Sequence, residues 1–315
     1  TLNSALAPIT VKVTIDATTA PGHVAGGPPV VGIDCNGNIG PIFNTGSDGS
    51  QLLGMSVGGA SGQGVALVGS GITLDGNYIG LDVNGAVLAN AGSGVVVFAP
   101  SSGNFIGINP TGAVGYVSNV ISGNGADGIT LLGSGSNIIR ANYIGTNADG
   151  SAAIANAGNG IRLSAVSSGN TIGGKLHTDP DTGDVNNPTG AGTDPRTPTF
   201  VVPAEGNLIS GNGGDGVLIE GASTDNNLLG NFIGTVAGGL AALGNAGDGV
   251  QITDSDFNHI IGCDITDNPF VYYNVISGND GNGIHVTNSG GTVVQANYVG
   301  ISANDSLALG NTGNG

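Results

Sequence analysis

The sequence predicts an all-β protein: a right-handed parallel β-helix of about nine coils, with three short strands per coil. Three observations predict it. A block of about 65 residues recurs with its parts in constant order, so each unit buries its apolar face against its neighbours. Apolar residues alternate with period two, but only over runs of three to five residues, the length of a very short half-buried strand. Glycine, at 62 of 315 residues, interrupts every such run and would be ruinous for helices.

One copy of the block begins at Asn119-Val-Ile-Ser-Gly-Asn124 and continues through Asp127-Gly-Ile-Thr-Leu131, Asn137-Ile-Ile139, Asn142-Tyr-Ile-Gly145 and Asn156-Ala-Gly-Asn-Gly-Ile161 to Asn170-Thr-Ile-Gly173. Further copies begin at Asn207-Leu-Ile-Ser-Gly-Asn212 and Asn274-Val-Ile-Ser-Gly-Asn279, and a partial copy runs from Gly64 to Gly107. Three segment types alternate within the block. The first is Gly-[Ile/Val]-x-[Leu/Ile/Val], as in Val95-Val-Val97, Ile129-Thr-Leu131, Ile161-Arg-Leu163 and Ile284-His-Val286. The second follows within about ten residues, as in Ile72-Thr-Leu74, Asn137-Ile-Ile139 and Asn227-Leu-Leu229. The third is Asn-x-[Ile/Val]-[Gly/Ser], at Asn77, Asn119, Asn142, Asn207, Asn231, Asn274 and Asn297.

First-type segments return about every 33 residues, so one block is two coils. A propeller or sandwich would need longer, hairpin-linked strands. The hand follows from the rule for parallel crossovers. Long loops follow the third strand in one coil (146–158, 235–247, 301–312) and the second strand in the next (108–118, 173–206, 262–273). The recurrent asparagines read as an internal ladder, because the amide tolerates left-handed backbone and bonds its copy one coil away. The whole chain, 1–315, reads as a single β-helix domain with a long loop insertion at 175–204.

The net charge of −17 comes from 20 Asp and 2 Glu against 3 Arg and 2 Lys. Such a surface repels nucleic acid and anionic membranes, and disfavours polyanionic sugars unless calcium bridges them. The excess of Asp over Glu fits turn chemistry, since Asp bonds its own backbone. Cys35 and Cys263 fall about six coils apart, on the order of 29 Å, too far for an intrachain disulfide. No apolar run is long enough for a transmembrane helix and no signal peptide is present.

The opening segments Leu6-Ala-Pro-Ile-Thr-Val-Lys-Val-Thr-Ile-Asp16 and Pro29-Val-Val-Gly-Ile-Asp34, with the repeated Asn-Val-Ile-Ser-Gly-Asn and Asn-Tyr-Ile-Gly motifs, carry a resemblance. Over nearly its whole length the chain resembles β-helix repeat modules of large bacterial surface and secreted proteins, of CSLREA or haemagglutinin-like type. The Asp/Pro-rich loop 175–204 departs from that pattern. The resemblance implies the fold and an extracellular, cell-surface setting, and little chemistry.

The search for chemistry starts from the rule that a turn residue repeats and a catalytic site occurs once. Asp127, Asp215, Asp280, Asp248 and Asn159 sit at repeated corners and read as turn residues. Asp254-Ser-Asp256-Phe-Asn-His259 is the best unique cluster, with a solvated turn as the simpler reading. Arg140 and Arg162 belong to different strand types, Lys175 and Arg196 flank the long loop, and His23, His177, His259 and His285 are scattered. No spacing suits zinc. Asp179, Asp181 and Asp184 form the one candidate metal motif, oxygen ligands at odd spacing around a tight turn that suit calcium, with Asn186, Asn187 and Asp194 nearby. An ordinary polar excursion is the alternative. No catalytic residue or other cofactor is assigned.

The resulting expectation is a non-enzymatic extracellular module: a rigid stalk, an adhesion segment or a head-to-tail filament subunit. Its partners would be further copies or neighbouring domains, or glycans, with no nucleic acid and no membrane insertion. The alternative is a carbohydrate-binding or polysaccharide-processing β-helix. The chain stops at Asn311-Thr-Gly-Asn-Gly315, where the pattern expects another strand, so it reads as either an excised piece or an end-to-end stacking unit.

Overall fold

The structure is a computed structural model that describes residues 1–107, 118–174, 206–262 and 273–315. It is a parallel β-helix. Among the described residues there is no helix, and every strand belongs to one of three parallel sheets. First-type segments form sheet A, eight strands from Ile42–Phe43 to Ile284–Thr287. Second-type segments form sheet B, nine strands from Thr14–Asp16 to Val293–Gln295. Third-type segments form sheet C, nine strands from Val31–Asp34 to Tyr298–Val299. Each strand pairs in register with its counterpart one coil away, as in Ile129↔Ile161 and Leu131↔Leu163.

That register stacks like on like. The inward rows Val95, Ile129, Ile161, Val217 and Val250 of sheet A, Ile106, Ile139, Ile172, Leu228 and Ile260 of sheet B, and Ile79, Ile121, Ile144, Ile209 and Ile233 of sheet C are fully buried in one core. Cys35 belongs to this core as a free thiol, and burial pushes its pKa up. Cys263 and the expected insertion at 175–204 lie outside the described residues.

The asparagines form three ladders where the sequence suggested one. At the B-to-C corner each side-chain amide donates to the next coil's amide oxygen along Asn77, Asn119, Asn142, Asn207, Asn231, Asn274 and Asn297. A second ladder at the C-to-A corner runs through Asn90, Asn124, Asn156, Asn212, Asn245, Asn279 and Asn311. A third at the A-to-B corner joins Asn104, Asn137, Asn170, Asn226 and Asn258. Most of these asparagines also bond backbone: Asn142 donates to Ile106 C=O, and Asn207 Oδ1 accepts the Asn142 N–H. The chain turns at these corners, where backbone groups would otherwise be buried without partners.

The Asn-Val-Ile-Ser-Gly-Asn repeat now has a physical account. Its first Asn joins one ladder and its last Asn another, while the Ile enters the core. The Ser ties down the start of the next coil's long loop: Ser122, Ser210 and Ser277 donate to the carbonyls of Thr146, Thr235 and Ile301. Those C-to-A loops fold back over sheet C. The outward row Leu208, Phe232 and Val275 packs with Tyr143 and Tyr298 beneath Ala237 and Ala303, and Tyr78 and Val120 pack beneath Leu81 and Ile154. Successive loops interlock, with Ala237 N–H donating to Gly150 C=O and Ala303 N–H to Gly239 C=O. Gly150 has φ +68° and a Cβ there would lie 2.5 Å from Leu208, so the covering layer requires glycine.

Candidate functional site

Sheet A differs from sheet C along its C-terminal half. Its outward row is Thr130, Arg162, Leu218, Gln251 and His285, in register one above the other. The second outward row is Leu132, Ser164, Glu220, Thr253 and Thr287. These are the variable positions of the first-type motif. At about 4.8 Å per coil, Arg162 to His285 spans roughly 14 Å.

A fourth ladder borders the face. Asp127 Oδ1 accepts the Asn159 N–H, Asn159 Oδ1 that of Asp215, Asp215 Oδ1 that of Asp248, and Asp248 Oδ1 that of Asn282. The corner assignment of Asp127, Asn159, Asp215 and Asp248 stands, but Asn282 rather than Asp280 continues the row. Asp280 precedes it, with its N–H bonded to Asn245 C=O. Burial raises the pKa of Asp215, and the charge of Asp248 adds to the rise. The bond from the Asp248 N–H and the nearby His285 oppose it.

One pairing lies within the face, and a second ties the border to it. Arg162 Nε donates to Glu220 Oε1 at 2.8 Å across one coil, and Nη2 donates to the same oxygen. His285 Nδ1 lies 3.0 Å from Asp248 Oδ2, and its Nε2 lies 3.1 Å from Thr287 Oγ1. A carboxylate only accepts, so Nδ1 carries the proton; in the neutral ring Nε2 then accepts from the Thr287 hydroxyl. The Asp248 side chain is 12% exposed and that of His285 46%, so the imidazole is reachable and its orienting carboxylate sheltered. His285 is exposed, as the reading of the lone histidines as surface residues expects, and it is also held by a carboxylate and a hydroxyl. It belongs to a constellation that occurs once among the described residues; the equivalent residues one coil earlier are Asp215, Gln251 and Thr253.

The unique cluster Asp254, Asp256 and His259, for which a solvated turn is the simpler reading, does not assemble into a site. Asp254 sits in the A-to-B turn with φ +48°, and Asp256 Oδ1 accepts the Gly290 N–H at 2.6 Å. His259 opens a sheet B strand beside Asn227 and Val293, and no hydrogen bond joins it to either carboxylate among the described residues. Arg140 lies on sheet B and Arg162 on sheet A. Asp75, on sheet B, has a buried Oδ1 without a partner, and burial pushes its pKa up to about 6 against the Gly76 N–H bond. The candidate calcium ligands Asp179, Asp181 and Asp184, with Lys175 and Arg196, lie outside the described residues. Among the described residues no group of three His, Cys, Asp or Glu side chains is arranged to hold a metal, and no helix is long and apolar enough to cross a membrane.

No protein-family model matches the chain. No curated protein matches it either. Solved structures do. The chain is similar to the periplasmic alginate epimerase AlgG, with a TM-score of 0.45 and 15% identity over 82% of this chain and 50% of that one. It is similar to the A-module of the Azotobacter vinelandii mannuronan C-5 epimerase AlgE6, with a TM-score of 0.35 and 12% identity over 99% of this chain and 86% of that one. It is also similar to the catalytic domain of a GH87 alpha-1,3-glucanase, with a TM-score of 0.24 and 14% identity over 93% of this chain and 60% of that one. The chain spans about half the length of the AlgG chain. At such identities the likeness shows the parallel β-helix alone. The expectation of a non-enzymatic adhesion, stalk or filament module is corrected here in favour of its polysaccharide alternative, since the similar structures are named as epimerases and a glucanase.

Proposed function

We propose that this chain is a polysaccharide-binding and polysaccharide-processing β-helix that lays a glycan along the outward face of sheet A. The observation that carries the reading is the non-repeating row on that face, polar except at Leu218: Arg162 with Glu220, then Leu218, then Gln251, then His285 with Asp248. The planar guanidinium of Arg162 and the amide of Gln251 suit the hydroxyls of an extended sugar chain. His285, oriented by Asp248, supplies an acid–base group at one end of the row. The acidic net charge of −17 favours a neutral glycan over a polyuronate. A surface or secreted setting, as in the CSLREA-type modules that the sequence resembles, would bring the face to such glycans.

Binding of a panel of neutral and acidic polysaccharides, measured by calorimetry or affinity electrophoresis, tests the proposal. Neutral chains should bind, and Arg162→Ala with Gln251→Ala should weaken binding at least about tenfold while melting is retained. Binding by none of the panel, or equal binding by the double variant, would overturn it.

A further inference from the structure

We infer that Thr287, His285 and Asp248 form a nucleophile–base–carboxylate relay that removes O-acyl groups, acetyl esters above all, from the polysaccharide. The inference rests on the reading of sheet A as a glycan-binding face and names the bond that is cleaved there.

The geometry has the parts such a reaction needs. Thr287 Oγ1 lies 3.1 Å from His285 Nε2, and His285 Nδ1 lies 3.0 Å from Asp248 Oδ2. Asp248 is itself held in place, since its Oδ1 accepts both the backbone N–H and the side-chain amide of Asn282. It fixes the tautomer that leaves Nε2 free to take a proton. One coil back, Gln251 is in register with His285 and Thr253 with Thr287. Neither the Gln251 amide nor the Thr253 hydroxyl is engaged in a hydrogen bond among the described residues, so both are available to a developing oxyanion.

Uniqueness separates this from turn chemistry. The other coils place Asp127 with Arg162, Asn159 with Leu218, and Asp215 with Gln251 at the same two positions. Among the described residues a hydroxyl, an imidazole and a carboxylate coincide once.

In the reaction, Thr287 Oγ1 attacks the ester carbonyl carbon and its proton passes to His285 Nε2. The tetrahedral intermediate collapses, the bond between acyl carbon and sugar oxygen breaks, and His285 returns the proton to that oxygen. Water, deprotonated by His285, then attacks the acyl-Thr287. The acid is released and Thr287 regains its proton. The substrate class is an O-acetylated neutral polysaccharide, and the products are the free sugar hydroxyl and acetate.

Two probes separate this inference from the reading beneath it: p-nitrophenyl acetate, which needs no glycan site, and acetylated glucan or xylan assayed for released acetate. The wild type should turn over both and carry an acetyl group on Thr287 in a quenched digest. Thr287→Val and His285→Gln should lower both rates at least about a hundredfold without changing melting, and Thr287→Ser should retain activity. Asp248→Asn should lower the rate and shift the pH profile, as expected of a positioning residue. Glycan binding with no turnover of either probe would overturn the esterase inference and leave the binding face standing. Turnover of p-nitrophenyl acetate with no binding of any polysaccharide would keep the relay and overturn the glycan reading.

Discussion

The outward faces of sheets C and A are built on the same coils, yet sheet C is covered while the C-terminal half of sheet A is open. On sheet C the row repeats in kind, with Tyr78, Tyr143, Phe232 and Tyr298 recurring, and the loops that follow fold back to bury it. Along the C-terminal half of sheet A the corresponding row changes at every coil, from Arg162 to Leu218, Gln251 and His285, whereas Ala66, Val96 and Thr130 before it are buried. The lesson is that repetition at a register position reports packing, because stacking identical groups is what the solenoid needs. Variation at a register position is left for chemistry.

The difference can be broken from either side. The largest effect is expected on sheet C. Phe232 is 4% exposed beneath Ala237 and Ala303. Phe232→Ala should cost about 3–4 kcal/mol of stability and lower the melting temperature, while polysaccharide binding at low temperature stays intact. Unchanged melting would mean that the outer layer on sheet C contributes nothing.

A somewhat smaller loss is expected where both faces share a foundation. Asn207 Nδ2 donates to Ile139 C=O and to Asn231 Oδ1, and its Oδ1 accepts the Asn142 N–H. Asn207→Ala orphans several buried groups and should cost about 2–3 kcal/mol. Denaturant unfolding checks this, and a cost near zero would show that ladder rungs are interchangeable with water.

Sheet B supplies an intermediate case in Asp75, where burial pushes the carboxyl up to about 6, above its ordinary 3.8. Such a group favours the fold while protonated. Its contribution is fully present below about pH 4 and is lost as pH rises through 6. Asp75→Asn should therefore raise stability at pH 7 by about 2 kcal/mol and flatten that part of the change between pH 4 and 7. Melting curves at the two pH values decide, and an unchanged difference would mean that Asp75 ionises freely.

The smallest stability effect belongs to sheet A. Arg162 and Glu220 form a partly exposed pair, with 42% and 28% of their side chains accessible. Arg162→Ala should cost under about 1 kcal/mol and still weaken glycan binding. A stability loss matching that of Phe232→Ala would make the pair a structural clasp and erase the distinction between the two faces.

The candidate site was only partly legible in the sequence. The motif Gly-[Ile/Val]-x-[Leu/Ile/Val] marked the outward position x, and Arg162 and His285 stood in it, but their partners were hidden. Glu220 is 58 residues from Arg162 and His285 is 37 from Asp248. The judgement that Asp215 and Asp248 are turn residues was sound for their Oδ1 atoms, which serve the ladder. It missed the second oxygen of Asp248, which faces the imidazole. The unique acidic cluster at Asp254 and Asp256 looked better in sequence because its members are adjacent, yet adjacency at a corner points side chains into separate turns.

By itself the sequence determined the period, the inward rows and the asparagine stacking, because each copy of the block meets the same local demands of core burial, corner hydrogen bonding and left-handed turns. Only the tertiary structure decided that there are three inner ladders, that the loops cover sheet C, and that Asp248 meets His285. Those outcomes depend on how loops of unequal length bring successive coils into register. Loop length leaves no periodic mark at the positions it brings together, so the contact exists only once the coils are stacked.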